Sequence, residues 1–537
     1  MQTINNSIRD SQETALLSRI IKWSWIILLA ASATQLVFFW SEDLLAAILF
    51  STISWKLFVG YFLRENILQK FPLSSLLVAG FVVTQLYFPI VFTTLEAKSA
   101  VNNLLMPNEV FLHTTLAFWV LLIAHITYTY IGRGISQSLR SALLYSGFFR
   151  TPNNTQVWLM GMVGLGVMTI GYFTGDTQGL KIPDTIVGKI LWGLSNFTYA
   201  PYLILVGHLY GNNTKVTKKT LVALSLYTIL VFAASIARNS RGAFIFGFTS
   251  LGIAYIISLL LGIYNIQRVK IFTARNFLIG ALAVWLITGP IADLGIAMAL
   301  VRGSRSEVSS AKLLEMTLEM YQDKSAIEVL KKIDNNEQLD WDERYLDNIF
   351  LARFCNLKFC DSSLMLASKV GGDDESVLER TINSMLSALP EPVLVALGID
   401  VNKKEARNGS IADYLFYKSG ANADVIGTFR VGHFSGIGMA TFGWIYLLLL
   451  CITIIPIYII FDSYSGLFKP NVKSQKTRTM FSFCGLLILT SIFQFLPSES
   501  VTVNISYLLR NWPETVVLYF LVYKATYLFS VVVRKFA

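Results

Sequence analysis

Residues 220–263 read TLVALSLYTILVFAASIARNSRGAFIFGFTSLGIAYIISLLLGI. Two apolar runs, 220–236 and 242–263, flank the polar turn Arg238-Asn239-Ser240-Arg241-Gly242. A helix needs about 20 mostly apolar residues to cross a bilayer, and both runs approach that length. The stretch therefore predicts a membrane hairpin. Reading outward finds further runs near 20–40, 44–62, 73–95, 110–131, 157–175 and 186–208. Others lie near 277–300, 436–461, 480–497 and 514–533. The expectation is an all-α polytopic membrane protein with about 12 transmembrane helices. The start of the chain is polar and offers no cleavable signal, so the first run is expected to stay as an anchor.

Composition agrees. Hydrophobic residues make up 54% of the chain and charged ones 15%, against roughly 25% charged in soluble domains. The net charge of +10 resembles a nucleic-acid signal until it is mapped. The basic residues gather in alternate loops: 9–22, 64–70, 133–150, 215–219, 268–275, 469–478 and 534–535. The short loops of the other parity hold only Lys98, Lys181, Arg238, Arg241 and Arg510. Lysine and arginine concentrate in short cytoplasmic loops. Both termini are thus expected in the cytoplasm, with no nucleic-acid partner.

The same count makes 301–433 a large extracytoplasmic loop. It holds 16 basic and 21 acidic residues, so it does not contribute the positive excess. It reads as helical, with a break at Gly371-Gly372 and a stop at the Pro390–Pro392 pair. The division expected is a membrane domain over 1–300, the loop domain over 301–433, and a second membrane domain over 434–537. Four cysteines make no disulfide framework, and Cys355 and Cys360 read as diverging on one helix. Four histidines without ligand spacing exclude a dedicated zinc site, so neither metal nor cofactor is expected.

Candidate chemistry sits near the outer ends of the runs. Arg238 and Arg241 close the hairpin, where a guanidinium suits bidentate phosphate recognition. The bland reading is a turn whose arginines snorkel to headgroups. Arg302 and Arg305 leave the ninth run. Asp293 lies inside that run, as a functional acid or as an ion-pair partner. The chain returns through Arg430, Val431, Gly432, His433, Phe434, Ser435, Gly436, Ile437 and Gly438 to Phe442-Gly443-Trp444. His433 there could accept a proton from a sugar hydroxyl, or simply cap a helix whose glycines serve packing. Arg353 and Arg510 are further candidates for substrate, though paired arginines are commoner. No G-x-x-x-x-G-K-[ST] loop and no aspartate-rich metal triad appears. ATP-driven transport and nucleotide-sugar transfer in the cytoplasm are disfavoured.

These residues resemble a family. The Arg238–Gly242 turn, the dozen runs, the large loop and the glycine-rich return ending in Phe442-Gly443-Trp444 look like bacterial O-antigen and exopolysaccharide repeat-unit polymerases. The resemblance implies a GT-C-like, metal-independent integral-membrane glycosyltransferase of the inner membrane. Its substrate would be oligosaccharide on undecaprenyl diphosphate, with membrane lipids around it and a chain-length regulator and a flippase as partners. It implies that Arg238 and Arg241 hold the diphosphate; from their own placement near the outer face, His433 or Asp293 is expected to activate the acceptor hydroxyl. Arg302, Arg305, Arg353, Arg430 and Arg510 would bind substrate. An O-antigen ligase uses the same donor, and a flippase or an assembly protein are readings of other classes.

Overall fold

A computed structural model describes residues 2–173, 190–191, 193–237, 241–263, 278, 282, 285, 289–301, 308, 310–327, 345–348, 351–355, 357–372, 374–468, 478–496 and 499–536. Seven helices among them are long and apolar enough to cross a membrane. They are Leu16–Phe38, Glu42–Tyr61, Pro72–Leu95, Pro107–Tyr145, Lys218–Ile236, Phe434–Ser463 and Thr502–Val532. Ile245–Leu260 is a shorter apolar helix. Two long spans carry a π turn just before a proline. Val83–Tyr87 precedes Pro89, and Tyr507–Asn511 precedes Pro513. Proline lacks an N–H and crowds the preceding turn, so a widened turn relieves both problems.

Other expected runs fold differently. Asn154–Phe173 is a helix, but 195–209 winds as a 3-10 helix containing Pro201. The two lie very close. A Cβ on Gly161 would fall 2.3 Å from the Pro201 ring, and one on Gly164 would fall 2.1 Å from the Thr198 nitrogen. The run at 277–300 is described mainly as Pro290–Leu300. The run at 480–497 is not one helix. Its start belongs to a hairpin, Ser465–Phe468 paired antiparallel with Arg478–Phe481. Two short helices follow, Phe483–Leu487 and Leu489–Phe493. The last helix starts earlier than the expected run, at Thr502, so Arg510 lies on that helix and not in a loop before it.

Loop residues fold as helices Ser310–Gln322, Leu357–Val370, Glu375–Leu386, Glu391–Ala396 and Ile411–Lys418. Gly371 takes a φ of +92° after Val370, a left-handed stop that glycine allows. Helix Glu375–Leu386 ends at its C-cap Ser387, before the expected proline stop, and Pro390 instead caps the start of the next helix. Cys355 and Cys360 do not share a helix, since Leu357–Val370 begins between them; both are buried free thiols.

Segments of like charge parity meet in space. At one end, Lys98 pairs with Asp347 at 2.6 Å and Tyr345 donates to the Ala100 carbonyl. Asp361 accepts the backbone N–H groups of Leu105 and Met106, both at 2.8 Å, just before helix Pro107–Thr127. Lys358 closes the clamp, 2.9 Å from Asp361 and bonded to the Asn103 carbonyl. At the other end, Thr479 donates to the Gln69 carbonyl and Arg478 to the Ile263 carbonyl. Asp462 there accepts from Leu73 N and Ser74 N, opening helix Pro72–Val82. Ser74 Oγ also donates to Asp462. It must then accept from His125 Nε2, 2.9 Å away, which leaves His125 Nδ1 to accept from the Tyr61 hydroxyl at 3.2 Å. One directed chain of hydrogen bonds thus ties four spans.

Both members of the Lys358–Asp361 pair are buried. Removing one partner of such a pair costs about 3–5 kcal/mol. Asp361→Ala is expected to lower the melting temperature in detergent clearly. The double variant Lys358→Met with Asp361→Leu should recover only part, because the N–H groups of Leu105 and Met106 stay unsatisfied. Full recovery would mean that charge pairing, and not capping, is what the clamp supplies.

Candidate functional site

The return segment is built around three close approaches. Helix Phe434–Phe442 crosses Leu357–Val370 at Gly436, where a Cβ would stand 2.2 Å from the Ser363 backbone. A Cβ at Gly438 would stand 2.6 Å from the Tyr446 ring. Gly443 ends the helix with a φ of +53°, and the long helix Tyr446–Ser463 follows after one tight turn. Trp444 in that turn stacks flat on His113, with centroids 4.5 Å apart and planes at 6°. These glycines serve packing and a bend. A Cβ on Gly432 would stand 2.6 Å from Ile437, with Ala412 and Glu499 next nearest.

His433 caps the helix. Its Nδ1 accepts the Ser435 N–H at 3.2 Å, and its own N–H donates to Ser363 Oγ at 3.0 Å. An Nδ1 that accepts carries no proton, so the neutral ring carries its proton on Nε2. His433 is fully buried, and Nε2 has no hydrogen-bond partner among the described residues. The expectation of a proton acceptor at the membrane boundary changes here. The imidazole presents a donor, and its neighbour Phe434 meets Phe81, the tenth residue of the long helix Pro72–Leu95, with centroids 6.1 Å apart.

The other candidates separate. Arg430 lies 3.5 Å from Asp413 and over the Phe416 ring. Asp413 is buried and accepts the N–H groups of Gly427, Phe429 and Arg430 and the Thr428 hydroxyl. Arg430 is thereby part of a wrapped turn. Asp293 pairs with Lys324 of the loop at 3.2 Å. Arg510 lies 3.6 Å from Glu514 one turn on. Arg353 is exposed on the short helix Leu351–Phe354. Arg241 opens helix Arg241–Leu260, which packs on Lys218–Ala237 as the hairpin requires. Arg238, Arg302, Arg305 and the Arg241 side chain lie outside the described residues.

Sequence reasoning passed over Glu499. It stands between spans, and its carboxylate accepts the Ala412 N–H at 3.0 Å, in the first turn of helix Ile411–Lys418. The residue keeps some exposed surface. Its carboxyl is packed round by protein, and that burial pushes its pKa up to about 7 against the pull of the backbone N–H groups. Its spacing from the helix, 87 residues, hides it from any local pattern. No group of three or more potential metal ligands occurs among the described residues.

The chain matches no family model, no curated protein and no solved structure.

Glu499 holds its proton more tightly in the folded chain, at about 7, than at its ordinary value of 4.5. Its contribution to docking is therefore greatest at acid pH and is lost as pH rises from the lower value through the upper. Melting temperature measured from about pH 5 to pH 8 should fall more steeply for wild type than for Glu499→Gln. The glutamine keeps an oxygen for Ala412 N–H and carries no charge. Identical slopes would remove Glu499 from the pH response.

Proposed function

We propose that the protein is a polytopic inner-membrane glycosyltransferase that polymerises oligosaccharide repeat units carried on undecaprenyl diphosphate. In this reading about 12 spans form a GT-C-like membrane domain, both termini are cytoplasmic, and residues 301–433 lie on the outer face. One observation carries the most weight. Helix Ser310–Gln322 of the loop packs on both Lys218–Ala237 and Pro290–Leu300. The loop therefore lies against the helix that leads into the arginine turn and against the helix that bears Asp293. A folded loop beside an arginine turn suits the meeting of a lipid-linked donor with a saccharide acceptor.

The reaction forms a bond from the acceptor oxygen to the anomeric carbon and breaks the bond from that carbon to the diphosphate. Arg238 and Arg241 stabilise the negative charge that gathers on the leaving diphosphate. The acceptor hydroxyl loses its proton, and Asp293 is the carboxylate assigned to take it, with Lys324 tempering its basicity. His433 donates a hydrogen bond and does not act as the base. Diphosphate leaves readily once its charge is neutralised, so placement and electrostatics carry the rate.

The test is a glycan ladder from cells lacking the protein, complemented with wild type, Arg241→Ala or Asp293→Asn at matched membrane levels. Loss of one preorganised cationic donor should slow elongation by about 100- to 1000-fold, leaving single repeat units on the carrier or lipid core. Long chains that persist on the carrier without reaching the core would make the protein a ligase. An unchanged profile in the null strain would end the glycan reading.

A further inference from the structure

Gln85 lies in the π turn Val83–Tyr87 and is 0% exposed. Neither its amide nitrogen nor its amide oxygen has a hydrogen-bond partner among the described residues. An amide buried without partners costs several kcal/mol in an apolar medium, and membrane interiors supply no bulk water to offset it. Gln85 sits one turn beyond Phe81, on the face where Phe81 meets Phe434. His433 precedes Phe434 and stacks on it at 4.5 Å. Its Nε2, a donor by the cap geometry above, is likewise unpartnered. Ser435, two residues on, is buried, and its Oγ has no hydrogen-bond partner among the described residues. Helix Pro107–Thr127, which packs against the π turn, adds the unpartnered Thr115 Oγ1.

These groups share a character. They are a neutral amide, a neutral imidazole N–H and hydroxyls, with donors and acceptors mixed and no formal charge. An ion would find no counter-charge. A neutral hydroxyl compound, which both donates and accepts, fits all of them. π turns recur at functional sites because they open a helix face to a ligand. Gln85 lies ten residues inside the Leu95 end of its span, about 15 Å at 1.5 Å per residue.

We infer that Gln85, His433 and Ser435 form an internal binding site for neutral hydroxyl groups beneath the return helix. Its occupant is one or a few water molecules, or a saccharide hydroxyl offering the same chemistry. A bound water needs two to four polar partners, and the site supplies them from two segments far apart in sequence. The site bridges the π turn and the return helix through its occupant, so it couples the position of His433 to that of the third long span. The inference does not rest on glycosyl transfer.

The test joins two measurements on the full-length protein in detergent. The first is millisecond radiolytic labelling in water enriched in oxygen-18. An internal hydroxyl site predicts label on Phe434 or Cys360, buried residues that bulk water does not reach. Adding a repeat-unit oligosaccharide separates the sources. Suppressed label assigns the site to a sugar hydroxyl, and unchanged label assigns it to water; both support the site. The second is the melting temperature of Gln85→Leu. A dry site predicts a rise, because an unsatisfied amide is replaced by a hydrocarbon of similar size. An occupied site predicts a fall of about 2–4 °C. Absence of label on wild type, or a Gln85→Leu variant at least as stable as wild type, overturns the inference.

Discussion

The fold depends on how buried helix starts find acceptors. The first N–H groups of a helix have no partner within it, and a bilayer offers no water to replace them. This chain answers with carboxylates sent from far away. Asp462 reaches Leu73 and Ser74, Asp361 reaches Leu105 and Met106, and Glu499 reaches Ala412. Each acid sits at or near the end of one helix and opens another. A buried carboxylate is costly alone, but Asp361 and Asp462, each bonded to two N–H groups, offset that cost while satisfying the helix. The helix dipole adds to the match, since its positive end faces the anion. Long-range connection and local capping are here the same bond.

Close approach is the second constraint. Where two segments must cross near the clamp, glycine removes the side chain that would block them. Gly436 lets the return helix reach Ser363, and Ser363 Oγ then accepts the His433 N–H. The cap, the crossing and the histidine tautomer follow from one another. A larger residue at 436 would lift the helix off Leu357–Val370 and undo the contact that orients His433. Glycine in a pattern suggests ligand approach as readily as packing, and only the opposite wall decides between them. At Gly436 and Gly438 that wall is protein.

The long helices were legible because a run of apolar residues measures its own length. The turn between 236 and 242 was legible because charge interrupted two such runs. The run at 480–497 was misleading for the same reason. Apolarity does not distinguish one long helix from a strand and two short helices, and the pairing that makes the strand, Ser465–Phe468, lies before a long polar connection. The acids were the least legible. Asp293 stood out because it interrupts an apolar run. Asp462 follows Phe461 at the end of a run and reads as the first residue of a loop. Asp361, Asp413 and Glu499 look like ordinary surface acids, since their acceptor roles lie in backbone N–H groups that no local pattern displays. Arg430 was legible as an arginine leading into the glycine-rich return, but its carboxylate lies 17 residues earlier.

The distribution of satisfied and unsatisfied polar groups then carries an argument of its own. The chain meets the needs of its helix starts with acids drawn from distant segments, and even the Ser74 hydroxyl has both a donor and an acceptor. Gln85 and His433 Nε2 are among the buried polar groups that have no partner among the described residues. A glutamine is easily replaced by leucine in a lipid-facing helix, and a histidine cap by serine or asparagine, with no orphaned donor in either case. Both residues instead carry hydrogen-bonding capacity beyond what packing or capping uses. They do so on facing segments, one of them in a π turn that already departs from regular helix. The donors and acceptors left over on these two segments are what a bound hydroxyl compound would use.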